Sequence, residues 1–446
     1  MVDFLIEPGK GLRGEITLPG DKSISHRAIM CASLASGTSE IKGFLDSEDC
    51  LATLRNFQEM GIDIEKKGDL VIVKGKGLHG LSEPKKILDM GNSGTSMRLT
   101  AGILVGQKFN SILSGDKSLL KRPMKRITEP LSLMGCSIKS KKDGTPPLQI
   151  FEVDQISSIK YKLPISSAQV KSCIMFAALY GNGSTVIEES ELTRDHTERI
   201  FKKFGIPVKM NHSKSGKTII VKPTLNMNPC KLEICSDFSS AAFFILAAII
   251  CPNSFVTIKN VGVNETRTGF LYALRKMGGN IKIKNLSEDY EPSADIVVKS
   301  SKLRGIDLDS NLVSNIIDEL PSLFIAASLA KGITRIKGAE ELRYKESDRL
   351  TSMANALESF GVSFDLSQDG INIRGLNQSL IHTENKGPFK EAEIDSFDDH
   401  RVAMASAIGA LRSKGPCIVK NCDNVATSFP SFLDTTERLG ISIKKN

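Results

Sequence analysis

The sequence predicts an α/β protein of two domains, assembled from six copies of one unit with helices inside and sheets outside. Three observations carry this. A helical stretch ending in a bulky residue and a glycine, then an alternating strand, occurs six times. A helix of small apolar residues, a turn and a β-branched strand recur in the same register. The small-residue helices are apolar all round, which means close packing on every side.

The first phrase reads Phe57–Ile64, Leu131–Ile138, Phe201–Val208, Leu274–Ile281, Leu357–Phe364 and Thr436–Ile443. Its glycines, Gly61, Gly135, Gly205, Gly278, Gly361 and Gly440, stand roughly 70 to 83 residues apart. A glycine after the last helical hydrophobe is a left-handed C-cap. The second phrase is clearest at Leu34–Ile41, Leu179–Ile187 and Leu329–Ile336, and weaker at 106–113, 251–258 and 414–419. Each unit therefore reads helix, strand, helix and two strands, with a further strand leading into the next helix. The helices Ala168–Leu179, Ser239–Ile250, Leu320–Ala330 and Val402–Leu411 are placed inside. Glu48–Met60 and Asp348–Phe360 are amphipathic and lie between sheets or at the surface.

The last unit lacks its final strands, and Phe4–Glu7 and Leu12–Leu18 at the N-terminus match them. This closure predicts one domain of residues 1–20 plus 230–446 and another of 21–229. They are joined by two crossings, near Gly20 and near Asn228-Pro229, and an active-site cleft is expected between them. Two thin connections permit hinge closure.

Composition narrows the function. The 446 residues are 40% hydrophobic and carry a net charge of +8. Mild basicity suits an acidic ligand. Aromatics at 6%, no Trp and no long Lys/Arg block argue against nucleic acid. The N-terminal Met-Val-Asp-Phe-Leu-Ile-Glu does not read as a signal peptide, and the longest apolar run, 241–251, is too short to span a bilayer. Nine cysteines without a C-x-x-C pair read as reduced cytoplasmic thiols, and six scattered His point to no protein-held metal.

The residues heading the interior helices carry the functional argument. Pro19-Gly20 ends a strand-like run and leads into Asp21-Lys22-Ser23-Ile24-Ser25-His26-Arg27, two cations and hydroxyls at a helix start, where free N–H groups favour an anion. The other units supply Met90–Arg98, rich in Gly, Ser and Thr; Ser166–Lys171; Ser236–Ser240; Asp318-Glu-Leu-Pro; and Asp398-Asp-His-Arg401. Ser236, Asp237, Ser239 and Ser240 read as ordinary caps, and His400 as an oriented hydrogen-bonder. Leu119–Arg126 places four cations around a proline turn. Arg343–Arg349 sets Lys345, Glu346 and Arg349 on one helical start.

Taken together, these stretches resemble the 5-enolpyruvylshikimate-3-phosphate synthases. The matching pieces are Leu18–Arg27, Gly91–Arg98, Lys121–Arg126, Ser167-Ala-Gln169, Tyr344–Arg349 and Asp399–Met404. They run in family order along essentially the whole chain. The resemblance implies an inside-out α/β barrel of βαβαββ units, three per domain. It implies transfer of the carboxyvinyl group of phosphoenolpyruvate to the 5-hydroxyl of shikimate-3-phosphate, with release of phosphate, on the route to chorismate and aromatic amino acids. It implies no metal or organic cofactor, small anionic substrates, no nucleic acid or membrane partner, and a monomer in the cytoplasm. Carried over by position, Lys22 meets both substrates. Ser23, Arg27, Ser167, Gln169, Arg194, Asp318 and Lys345 serve shikimate-3-phosphate. Asn92, Gly94, Arg122, Gln169, Arg349 and Arg401 serve phosphoenolpyruvate. Asp318 accepts the 5-hydroxyl proton and Glu346 trades a proton with the methylene carbon; with Lys22 these are the catalytic residues.

The chain departs from the pattern at Leu99, where many members have Pro, and in Val425–Pro430, which lacks the Lys that many members carry before Thr-Phe-Pro. Thr427 and Ser428 cannot replace that charge. Two other readings stand beside this one. The sister transferase acting on UDP-N-acetylglucosamine shares the fold but usually carries a loop cysteine, absent from 114–126. A non-catalytic anion or RNA binder is permitted by the charge, yet acidic groups in a basic site weaken anion binding unless they do proton work.

Overall fold

The computed structural model describes residues 2–213, 216–376 and 387–446. The chain divides into two compact units, one of Gly20–Ile234 and one of Met1–Pro19 with Cys235–Asn446. Each is α/β, and among the described residues each contains three sheets and three buried helices.

In the unit of residues 20–234 every sheet has one strand order. Lys231–Glu233 lies parallel to Ser36–Lys42, which is antiparallel to Leu70–Lys76, and that strand pairs antiparallel with Asp63–Lys67. Leu88–Asp89, Ser111–Ser114, Leu148–Phe151 and Ser137–Lys139 repeat the pattern, as do Lys160–Lys162, Thr185–Glu189, Gly216–Val221 and Val208–Ser213. The other unit follows the same rule. Arg13–Thr17 begins a sheet with Phe255–Gly262, Pro292–Lys299 and Asn280–Glu288. Glu393–Asp395, Cys417–Lys420, Phe4–Ile6 and Ile443–Lys445 form another. In the remaining sheet, Ile333–Ile336, Ile371–Arg374 and Ser363–Leu366 are joined by parallel bridges from Arg304 and Asp307 in the first-strand place.

The crossings differ from the sequence-based expectation. Only Phe4–Ile6 closes the last sheet; Arg13–Thr17 pairs with the strand after residue 254. Reciprocally, Lys231–Glu233 stays with Ser36–Lys42, so the second crossing falls at Ile234/Cys235 and not near Asn228-Pro229. The two strands that lead into a crossing have exchanged sheets. Alternation in a strand of three or five residues fixes which face is buried, not which neighbour it joins.

Six helices form the unit interiors: α1 (Lys22–Leu34), α2 (Gly94–Leu104), α3 (Ala168–Ala178), α4 (Phe238–Ile250), α5 (Leu320–Ser328) and α6 (His400–Ala410). All residues of α4, α5 and α6 are buried. Small residues permit the close approach: a Cβ at Gly102 of α2 would stand 2.3 Å from the Cys173 carbonyl oxygen of α3. The six repeat glycines all have positive φ, from +74° at Gly440 to +99° at Gly278, as a left-handed C-cap demands. All nine cysteines are free, and eight are buried.

Phe4 is 2% exposed and stacks on Phe432, with ring centroids 6.3 Å apart. Phe432 in turn meets Phe243, Phe244 and Phe429. Phe4→Ala is therefore expected to destabilise the protein by about 3–5 kcal/mol, read as a lower urea midpoint. An unchanged midpoint would mean that the N-terminal strand adds nothing to this core.

Candidate active site

The site residues fall into two clusters, one in each unit. In the unit of residues 20–234 they gather at the N-terminal ends of α1, α2 and α3, where capping geometry sets their positions. Asp21 caps α1 by accepting from Ile24 N at 2.9 Å, Ser93 caps α2 from Ser96 N at 3.0 Å, and Ser167 caps α3 from Val170 N at 3.5 Å. Lys22 and Ser23 are the first two residues of α1 and are half-buried. Lys22 Nζ pairs with Asp49 Oδ2 at 3.2 Å. Arg27, one turn on, is buried and donates Nε to Thr197 Oγ1 (2.7 Å), Nη1 to the Ser23 carbonyl (2.9 Å) and Nη2 to Ser172 Oγ (2.9 Å). Burial lowers its pKa to about 10.

Asn92 donates to Asp116 Oδ2 at 2.6 Å and accepts from Arg122 Nη2 at 2.7 Å. Gly94 opens α2 against two guanidinium groups. A Cβ there would lie 2.8 Å from Arg98 Nη1 and 3.3 Å from Arg122 Nη1. Gln169, the second residue of α3, accepts from Arg98 and donates to Thr95 Oγ1 at 2.8 Å. Arg194 is half-buried, two residues before the helix His196–Lys203. Thus Lys22, Ser23, Asn92, Gly94, Ser167 and Gln169 stand at or beside the starts of α1, α2 and α3, Arg27 lies one turn into α1, Arg122 bonds Asn92, and Arg194 precedes the helix that carries Thr197. Arg98 holds Gln169 and was missed. Its place one turn after Gly94 puts its guanidinium within reach of the start of α3.

His26 ties α1 to α2. Its Nδ1 lies 2.7 Å from Thr53 Oγ1 and its Nε2 3.4 Å from Ser93 Oγ, the cap of α2. Burial, then the charges of Lys22 and Arg27, push its pKa from 6.5 down to about 3.

The second cluster centres on Arg349, which is 1% exposed. Its Nε donates to Asp399 Oδ2 at 2.8 Å, its Nη2 to Glu346 Oε2 at 2.5 Å and its Nη1 to Asp318 Oδ1 at 3.4 Å. Burial would lower its pKa, but Asp399, Glu346 and Asp318 outweigh that and raise it. Asp399 is 0% exposed, whereas Asp318 and Glu346 remain 15% and 19% exposed. Asp399 also caps α6, accepting from Arg401 N at 2.9 Å. The turn before it is strained, with Phe397 at φ +53° and Asp398 at φ +56°. Asp395 Oδ1, accepting from Phe397 N at 2.7 Å, and Asn424 Nδ2, donating to the Asp398 carbonyl at 2.6 Å, hold it.

Arg401 donates Nη1 to the Asp318 carbonyl at 3.0 Å, and its Nη2 lies 3.6 Å from Asp318 Oδ2. Lys345 is half-buried, and desolvation, partly opposed by Asp318 and Glu341, pushes its pKa down. Lys345 and Glu346 do not share a helical start with Arg349. The helix begins at Arg349 because Asp348 caps it, accepting from Thr351 N at 3.1 Å, and the two residues lie in the preceding loop. Asp399 and Glu319 were missed as partners, since Asp beside a helix start reads only as a cap. Ser239 is not a cap: Asp237 caps α4, accepting from Ser239 N at 3.0 Å, and Ser239 Oγ donates to Glu319 Oε1 at 2.5 Å and accepts from Arg267 Nη2 at 2.7 Å. Where the expected Lys is missing, Thr427 Oγ1 donates to the Asn424 carbonyl at 2.7 Å and Ser428 is buried. Among the described residues no helix is long and apolar enough to cross a membrane.

Cations and N–H donors at three helix starts could hold anions, and a guanidinium gathering two partly exposed carboxylates places groups able to exchange protons. The family model for EPSP synthase (3-phosphoshikimate 1-carboxyvinyltransferase) matches residues 6–436. The chain belongs to the EPSP synthase family. It is 46% identical over 447 residues to the 3-phosphoshikimate 1-carboxyvinyltransferase of Legionella pneumophila (strain Lens), with both chains covered in full. The relative from Methylococcus capsulatus is 46% identical over 446 residues, covering 99% of this chain and 98% of that one. Among solved structures, EPSP synthase from Acinetobacter baumannii matches with a TM-score of 0.88 at 43% identity over all of both chains. An enolpyruvyl transferase from Streptomyces tendae shares the fold, with a TM-score of 0.78 at 14% identity over 100% of this chain and 99% of that one.

The buried ring of His26 makes stability depend on pH. The unfolded ring takes up a proton below about 6.5 and the folded ring only near 3, so stability is full above pH 6.5 and falls as pH drops toward 3. His26→Asn is expected to remove on the order of 3 kcal/mol of this acid-linked loss at pH 4, read as a smaller change in urea midpoint between pH 7 and 4. A His26 ring that titrates above pH 6 by NMR would contradict this.

Proposed function

We propose that the protein transfers the carboxyvinyl group of phosphoenolpyruvate to the 5-hydroxyl of shikimate-3-phosphate and releases phosphate. Family membership supports the reaction class and the substrates. The observation that carries the residue roles is the Arg349 fork. It orients two partly exposed carboxylates, Asp318 and Glu346, by anchoring itself on a third, Asp399, that is buried.

The chemistry needs such a pair. In addition, the 5-hydroxyl oxygen attacks C2 of phosphoenolpyruvate, Asp318 takes the hydroxyl proton and Glu346 protonates C3. The tetrahedral adduct keeps its carboxylate and phosphate, and cations stabilise it. In elimination the C–O bond to phosphate breaks and Glu346 recovers a proton from C3, leaving the enol ether. Asn92, Gly94, Arg122, Gln169, Arg349 and Arg401 hold phosphoenolpyruvate. Ser23, Arg27, Ser167, Gln169, Arg194 and Lys345 hold shikimate-3-phosphate. Lys22 serves both. The bidentate geometry of Arg suits carboxylate and phosphate groups. We further propose that the clusters of the two units act on one pair of substrates, and that the units are inside-out barrels. Six buried helices, with the same strand order in their sheets, support the latter. The same reading takes the protein as a cytoplasmic monomer that needs no cofactor.

The test is phosphate release from phosphoenolpyruvate, with shikimate-3-phosphate or UDP-N-acetylglucosamine as acceptor. Release is expected with shikimate-3-phosphate alone, and Asp318→Ala should lower kcat by about 10²–10⁴-fold. Release with the sugar nucleotide alone would overturn the substrate assignment, and an Asp318→Ala variant as active as wild type would remove Asp318 from the chemistry.

A further inference from the structure

Four charged side chains lie together inside the unit of residues 20–234. Lys171 Nζ, on α3, is 3.1 Å from Glu189 Oε2 and 2.9 Å from Glu198 Oε1, and Lys217 Nζ is 3.2 Å from the same Glu198 oxygen. All four side chains are at most 3% exposed. Thr193 Oγ1 donates to Glu189 Oε2 at 2.7 Å. Two ammonium groups and two carboxylates sum to zero. Burial alone would lower the pKa of Lys171, but Glu198 and then Glu189 outweigh it and raise it.

Stability is a weak reason for this arrangement, because a buried ion pair is often no better than apolar residues of the same volume. Its neighbours suggest another. Lys171 lies two residues beyond Gln169 on α3. Glu189 and Glu198 bracket Thr193, Arg194 and Thr197, and Thr197 Oγ1 is the acceptor for Arg27 Nε at 2.7 Å. The donors of Arg27 go to neutral oxygens, those of Thr197, Ser23 and Ser172. Its charge is met through space only, by Asp21 first and then by Glu198. Glu198 already acts on Arg27 through space, as does the like charge of Arg194. The Oε2 of Glu198 is buried and has no hydrogen-bond partner among the described residues.

We propose that Lys171 is a positioning residue whose ammonium cancels the buried carboxylates, so that Glu198 does not draw Arg27 and Arg194 inward from the anion they hold. Without Lys171 the interior carries one uncompensated negative charge. Lys217 still contacts Glu198 but cancels only one of the two carboxylates, and Arg27 is among the cations on which Glu198 acts. The proposal rests on the reading above, in which that ligand is shikimate-3-phosphate.

The test is calorimetric titration of shikimate-3-phosphate into wild type, Lys171→Met and the double variant Lys171→Met/Glu198→Gln, with KM for phosphoenolpyruvate measured alongside. Lys171→Met should weaken shikimate-3-phosphate binding by about tenfold or more while KM for phosphoenolpyruvate stays within about threefold. The double variant restores neutrality and should recover affinity to within about threefold of wild type, although it removes a second buried charge. A role in packing alone predicts the opposite, a double variant as weak as the single or weaker, and that result overturns the proposal. So does an unchanged affinity in Lys171→Met, or an equal loss toward both substrates. If Lys171→Met does not fold, Glu198→Gln alone decides: affinity held or tightened supports the proposal, and weakening beyond about threefold overturns it. A wild type that does not bind shikimate-3-phosphate overturns the functional reading itself, which separates the two failures.

Discussion

The carboxylate cluster of Asp318, Glu346 and Asp399 depends on one guanidinium. Arg349 is buried, and a buried cation must be compensated or it destabilises the fold. Its compensation comes from three directions, Asp399, Glu346 and Asp318. Because the guanidinium is planar, satisfying it fixes where those carboxylates stand. Asp399 is the pivot. One oxygen takes Arg349 Nε and the N–H and Oγ of Ser347, while the other caps α6 and so aims the first turn that carries Arg401. The strained turn at Phe397 and Asp398 delivers Asp399 to that place.

The other unit meets a different constraint. Three helix starts must come close enough for short polar side chains to bridge them. The bridges are His26 to Ser93, Arg98 and Thr95 to Gln169, and Arg27 to Ser172 and Thr197. Such reach is available only if the helices behind them pack closely, and residues such as Gly102 against the Cys173 carbonyl allow it. The apolar, small-residue character of α1, α2 and α3 is thus tied to the polar chemistry at their ends. The ring of His26, kept neutral by burial, is a hydrogen-bonding bridge that adds no third positive charge beside Lys22 and Arg27.

Much of this was legible in the sequence because the signals are local. A left-handed C-cap needs glycine, so Gly61 and its five counterparts marked the repeat. A helix packed on all sides needs small apolar residues, so α3 to α6 stood out. Cap residues marked the helix starts that carry Lys22, Gly94, Ser167 and Arg401. What stayed hidden depends on long-range partners. Arg13–Thr17 and Lys231–Glu233 exchange sheets, and nothing in their own residues says which strand each will join. Lys345, Glu346 and Arg349 have helical spacing, but the Asp348 cap starts the helix only at Arg349. Arg98, Glu319 and Asp399 look like ordinary charges or caps until the groups they bind are seen, and Lys171, read as one of the polar residues heading an interior helix, has partners in Glu189 and Glu198 that its own stretch does not name.

The central claim is that the fork of Arg349, and not merely its charge, orders the acid/base groups. The most direct test is Arg349→Lys, which keeps the charge but cannot reach three carboxylates in fixed directions. With shikimate-3-phosphate and phosphoenolpyruvate saturating, kcat should fall by about 100-fold or more, since misplaced acid/base groups lose most of their effect. A variant that is folded and retains kcat within about threefold of wild type would contradict the account, because a point charge would then suffice.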